Sequence, residues 1–148
     1  MTTTPAFHTM NEHKFDINTV PGSAPGTYAS LKAGIKNVAI KNNEKLDQAT
    51  YLDGNGFGST DVIAAQMTLA FTSDRKIGDP AQDFIFSKAM SIGTARHTQF
   101  KWTLPDTSMF QGECTIANVE GPTGDAGSKG EFKFEIHFNG APTYTAAP

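Results

Sequence analysis

The sequence predicts a mainly β domain, an antiparallel sandwich or part-barrel with one flanking α-helix. Three observations predict it. Across 129–142 apolar and polar side chains alternate, with Phe132, Phe134, Ile136 and Phe138 on one parity and Lys133, Glu135 and His137 on the other. Successive strand side chains point to opposite sides, so this segment is a strand with one dry and one wet face. The same alternation returns over 61–72 and 99–104, and a single stretch, 79–90, has helical spacing with a capping signature.

The totals set bounds. A chain of 148 residues forms one domain most simply, and a domain of this size buries about 68–70% of its unfolded surface. Eleven Phe and one Trp supply much of the core. The single Cys114 excludes an intramolecular disulfide and, lying within an alternating stretch, reads as a small core residue rather than a nucleophile. Twelve Lys plus Arg against fifteen Asp plus Glu leave a net charge of −3, the wrong sign for holding nucleic acid by neutralising phosphates. The first residues lack a basic stretch followed by an apolar one, and no run approaches membrane-spanning length, so the expectation is a protein that folds in the cytosol where it is made, with no membrane partner.

Residues 1–14 are polar and poorly patterned and read as an N-terminal arm, followed by a single domain over 15–140 and a Pro-flanked tail at 141–148. A short strand is expected over 15–20, a Pro- and Gly-rich turn over 21–26, and a second, less regular strand over 34–41. A long polar connection then covers 42–60. Loops beyond about 12–15 residues are uncommon inside compact domains and tend to be functional or disordered. This one is punctuated by Tyr51, Leu52 and Phe57, apolar groups that a freely solvated linker does not need. It folds back on its own domain or docks on a neighbour.

From 61 to 72 one strand is expected, with Met67, Leu69 and Phe71 opposite Gln66, Thr68, Ala70 and Thr72. In 79–90, Asp79 suits the N-cap, Pro80 the first helical position and Asp83 the first turn. Ala81, Phe84, Ile85 and Ala89 form the stripe that packs on the sheet, and Gly93 is the expected stop. Strand 99–104, a Pro105-Asp106 turn and strand 110–119 make a hairpin, and a glycine-rich connection over 120–130 leads into the final strand.

Tests for site chemistry fail. Starting a calcium loop at Asp53 puts Phe57 at the fifth ligand position and Ala64 at the twelfth, where a bidentate Glu belongs. The glycines of 54–58 lack G-x-G-x-x-G spacing, and 124–130 lacks a Gly-Lys-Ser/Thr ending. His8, His13, His97 and His137 are dispersed without metal-ligand spacing, and the acids lie in expected loops or at element ends. The reading is a structural or binding protein rather than an enzyme, with no cofactor or metal.

Three segments in order go beyond composition: Tyr51-Leu52-Asp53-Gly54-Asn55-Gly56-Phe57-Gly58 running on through Ser59-Thr60-Asp61-Val62, then Gly78-Asp79-Pro80-Ala81-Gln82-Asp83-Phe84-Ile85-Phe86, then 130–144. Together, over about residues 45–145, they resemble the major tail protein, or tail tube protein, of long-tailed bacteriophages. The resemblance implies a β-sandwich with a flanking helix, assembled into stacked hexameric rings whose sheets join into one barrel around a bore. It implies a virion protein assembled in the host cytoplasm, a passive conduit for DNA. Its partners would be other copies of itself, a tape measure protein, a tail terminator, and baseplate or distal tail proteins. By that analogy residues 51–58 reach an adjacent subunit.

Two wet faces compete for the bore: Gln66, Thr68 and Thr72 with Ala70, or Lys133, Glu135 and His137. A tube subunit of a contractile phage-like particle or secretion system follows the same plan, and no residue separates the two. The rival from another class is a carbohydrate-binding β-sandwich using Trp102, Tyr51 and Tyr144 as stacking surfaces. Trp102 shares its parity with Phe100 and Leu104, which places it in the core.

Overall fold

The computed structural model describes residues 5–22 and 25–147, so the first four residues of the arm, Ser23 and Ala24 of the first turn, and Pro148 lie outside the described residues. Seven strands form one antiparallel path in the order β2-β1-β7-β8-β9-β6-β3. They are β1 (Lys14–Asn18), β2 (Tyr28–Ser30), β3 (Ile35–Lys41), β6 (Thr68–Asp74), β7 (His97–Thr103), β8 (Met109–Thr123) and β9 (Glu131–Phe138). A short β10 (Thr143–Thr145) also pairs with β8, and β4 (Lys45–Thr50) with β5 (Gly58–Ala64) makes a separate two-stranded ribbon.

The fold turns on the length of β8. Its first half, Met109–Thr115, pairs with β7, and its second half, from Cys114 to Thr123, pairs with β9. One long strand therefore carries the chain from one half of the sheet to the other. The sheet then closes over itself: Phe15 on β1 meets Phe71 on β6 edge-on at 5.3 Å, although β7, β8 and β9 lie between them in the strand order.

The space enclosed is aromatic. Phe71 stacks on Phe134 at 5.0 Å, and Phe100 meets Phe138 at 6.1 Å. Phe132, Phe134, Ile136 and Phe138, the dry parity of β9, are all buried to 1% exposure or less, so every second residue of this strand contributes an apolar side chain, each worth about 1.5–3 kcal/mol of transfer free energy. Cys114 is buried among them, and burial pushes its thiol up to about 12. Trp102 is half-buried, its Nε1–H donating to His13 Nδ1 at 3.1 Å while its ring stacks on Phe110 at 5.1 Å.

Helix α1 (Pro80–Ser87) covers the core through Ala81 and Ile85. The Asp79 carboxylate accepts the Gln82 N–H at 3.1 Å, and Pro80 occupies the first turn. The helix stops short of Gly93 because the backbone tightens: Lys88, Ala89 and Ser91 N–H donate three residues back, to Ile85, Phe86 and Lys88 carbonyls. Gly93 instead opens a 3₁₀ turn, Gly93–Arg96.

Several elements differ from the sequence expectation. The strand expected over 61–72 is two, β5 and β6, separated at 65–67. The connection over 42–60 is ordered as β4, a 3₁₀ turn at Leu52–Gly54 and the start of β5. The cause is that alternation detects a buried face, and this ribbon has none; nearly every residue of β4 and β5 is exposed. Strand β2 is too short for a pattern, β8 runs into the 120–130 connection as far as Thr123, through its first glycine, Gly121, and the tail contributes β10.

Candidate functional site

Two surfaces are built by these elements, and the first is the outer face of β3, β6, β9 and β8. Register puts Thr68 opposite His137, Ala70 opposite Glu135 and Thr72 opposite Lys133. The two sets of wet residues, read as competitors from sequence, thus share one face of one sheet. The face widens on both sides: Lys41 pairs with Thr68 and Ala39 with Ala70 on β3, while Thr115 pairs with His137 and Ala117 with Glu135 on β8. The β3 and β8 members escaped the sequence reading because bulges interrupt their alternation, between Ile35 and Asn37 and on both sides of Glu120.

Charges on this face are mostly paired. His137 Nε2 lies 2.8 Å from Glu135 Oε1. That contact, helped by Asn118 and Lys41, holds the Glu135 carboxyl below the ordinary carboxylate value against its partial burial. At the far end of the strands Asp74 sits directly opposite Glu131, an unfavourable like-charge pair. Lys36 Nζ relieves it at 3.1 Å from Asp74 and 3.6 Å from Glu131, and Lys133 reaches Glu131 at 3.3 Å. The result is a polar wall of interleaved sign. Gln66 belongs only to its rim: it lies in the link between β5 and β6, where its Nε2 donates to the Phe138 carbonyl at 3.2 Å.

The second surface is the β4–β5 ribbon, which prolongs the β3–β6 hairpin. Its root is fixed by hydrogen bonds: Gln66 N–H donates to the Asn42 carbonyl at 2.9 Å, and Asn43 Nδ2 to the Gln66 carbonyl at 3.1 Å and Thr68 Oγ1 at 2.8 Å. Asn43 takes φ 45, the left-handed bend that redirects the chain. Strands of six and seven residues extend the arm about 20 Å. At its end Tyr51, Leu52, Asp53, Gly54, Asn55, Gly56, Phe57 and Gly58 form the tip, with the Leu52–Gly54 3₁₀ turn followed by Asn55 in αL and Gly56 at φ +87.

The tip exposes apolar groups without shelter: Leu52 is 102% exposed, Phe57 80% and Tyr51 55%. Leu46 and Val62, directly paired, add a second apolar step on the ribbon itself. Asp47 faces Asp61 across the strands, so the ribbon also holds a like-charge pair. Among the described residues no cluster of His, Cys, Asp or Glu is arranged to hold a metal ion.

No family model and no curated protein matches the chain. Its fold is similar to that of solved tail proteins. A chain from the tail of an empty gene transfer agent particle, obtained by helical refinement with C6 symmetry, gives a TM-score of 0.72 at 16% identity, covering 95% of this chain and 100% of that one. A chain from the virion of a native gene transfer agent particle gives 0.75 at 15% identity with the same coverage. The protein thus has the fold of a phage-like tail protein.

Proposed function

We propose that this chain is a structural subunit of a tail tube. Copies close into hexameric rings, the rings stack, and the bore carries DNA passively. The observation that carries the reading is the ribbon: a two-stranded arm is marginally stable alone in water, and this one leaves Leu52, Phe57 and Tyr51 to solvent unless another molecule covers them. The fold likeness to tail chains, one of them from a particle refined with C6 symmetry, supports a sixfold assembly.

The wall formed by β3, β6, β9 and β8 supplies the bore in this reading. Lys133, Glu135 and His137 line it beside Thr68 and Thr72, with Gln66 at the rim. Paired charges and a net charge of −3 per copy leave no uncompensated cationic track for phosphates, which favours sliding over retention. Assembly draws on buried apolar area and needs no covalent step, so the reading is of a non-enzyme. A tape measure protein, a terminator and baseplate or distal tail proteins are the partners that such a tube implies, and the virion tail its location. The carbohydrate-binding alternative loses support from Trp102, whose ring lies half-buried between Phe110 and His13.

Negative-stain microscopy of the purified chain at increasing concentration tests this. Rings or hollow rods are expected. A monomer that persists at every concentration overturns the reading, and binding of that monomer to a glycan array establishes the rival.

A further inference from the structure

The ribbon tip has a counterpart elsewhere in the molecule. Between the 3₁₀ turn Met10–Glu12 and the first half of β3 lies a groove of about 350 Å³, floored by Phe15, Leu31, Ile35 and Val38 and flanked by Met10. Its volume is at the lower end of the range of small-molecule pockets, about 300–1,000 Å³. It suits one or two apolar side chains rather than a folded element.

The rims differ in sign. Lys32 and Lys36 border the groove. Lys36 is engaged by Asp74 and Glu131, whereas Lys32 forms no ion pair among the described residues. The ribbon, residues 44–64, is acidic: Glu44, Asp47, Asp53 and Asp61 against Lys45 alone. It keeps Asp47 opposite Asp61 at a cost to its own pairing.

Position excludes an intramolecular fit. The groove is lined by residues 35–38 at the start of β3, and the ribbon leaves beyond Lys41 at its end. Leu52 and Phe57 stay exposed and neither lines the groove, so the tip does not occupy the groove of its own chain. We infer that the groove receives the ribbon tip of a second copy, Leu52 and Phe57 entering it while Asp53 meets Lys32. Tip and groove are different surfaces, so the contact is heterologous and passes from one copy to the next.

This inference rests on the self-assembly proposed above, and the test separates the two. A chain with Leu52→Cys and Lys32→Cys is assembled and oxidised; Cys114, buried, takes no part. A ladder of covalent dimers, trimers and higher species on a non-reducing gel, absent from either single variant, is expected. Rods without a ladder overturn the groove assignment and leave the tube reading standing. Absence of rods from the unsubstituted chain overturns both. If the double-cysteine chain itself forms no rods, a charge swap decides. Asp53→Lys and Lys32→Asp should each raise the concentration at which rods appear about two- to fivefold, the range of an exposed ion pair, and the two together should restore it. Failure of the pair to restore it overturns the assignment.

Discussion

Gln82 shows how one buried polar side chain can hold three segments together. Its Oε1 accepts the Lys76 N–H at 2.9 Å, and its Nε2 donates to the carbonyls of Ala33 at 2.8 Å and Asp74 at 3.2 Å. The helix is thereby tied to the chain entering β3 and to the end of β6. Gly34 completes the joint, because at φ +76 a Cβ would stand 2.5 Å from the Asp74 carbonyl oxygen. Gln82→Ala removes all three hydrogen bonds from a side chain that is itself fully buried, which predicts a loss of about 3 kcal/mol, read by chemical denaturation. Truncating the neighbouring cap, Asp79→Ala, costs about 1 kcal/mol and serves as the comparison in the same experiment. Nothing in the sequence distinguishes Gln82 from a solvated helical glutamine. Its role depends on two carbonyls brought from distant segments, whereas Asp79 and Pro80 signal a helix start from their own positions.

At the level of elements, three carboxylates anchor three different parts of the fold. Asp83 Oδ1 receives Arg75 Nη2 at 2.7 Å, joining the first helical turn to the chain after β6. Asp106 accepts the Ser108 hydroxyl at 2.5 Å and the Ser108 N–H at 3.0 Å within the β7–β8 turn, and Glu135 contacts His137 on β9. These contacts hold all three carboxyls below their ordinary values. A lowered folded-state pKa means that the stability each group contributes is present above its unfolded value and lost as pH falls through the folded one. Asp16 works in the opposite sense: burial raises its carboxyl, so acidification relieves it. With three groups against one, the midpoint of thermal unfolding should fall between about pH 5 and pH 3. Glu135→Gln should flatten that fall, and a midpoint independent of pH over this range would refute the assignment. The strands behind these groups were legible in proportion to their asymmetry. Strand β9 buries one parity and wets the other, and its pattern declares this. Ribbon β4–β5 wets both, so its order is invisible to any argument from burial.

For the whole molecule, the consequence is a division between what folds the chain and what joins copies of it. The buried cluster draws on β1, β6, β7, β8, β9, α1 and Leu31 and takes no residue from β4 or β5. The register of the main sheet likewise includes no ribbon strand. Deleting 52–58 and closing the ribbon with a short turn therefore removes exposed side chains and no core contact. The expected product is a soluble monomer whose unfolding midpoint lies within the small range of surface changes, about ±0.5 kcal/mol in stability, but which no longer forms rods. Size-exclusion chromatography, a thermal melt and microscopy on one preparation read all three properties. Rods at normal yield would show that copies join through other surfaces and that the tip is dispensable. A large drop in the midpoint would show that the ribbon supports the fold it leaves. Loss of rods with an unchanged melt is the outcome that an assembly role explains, because the residues removed contribute only the ribbon's own turn and its last strand pair.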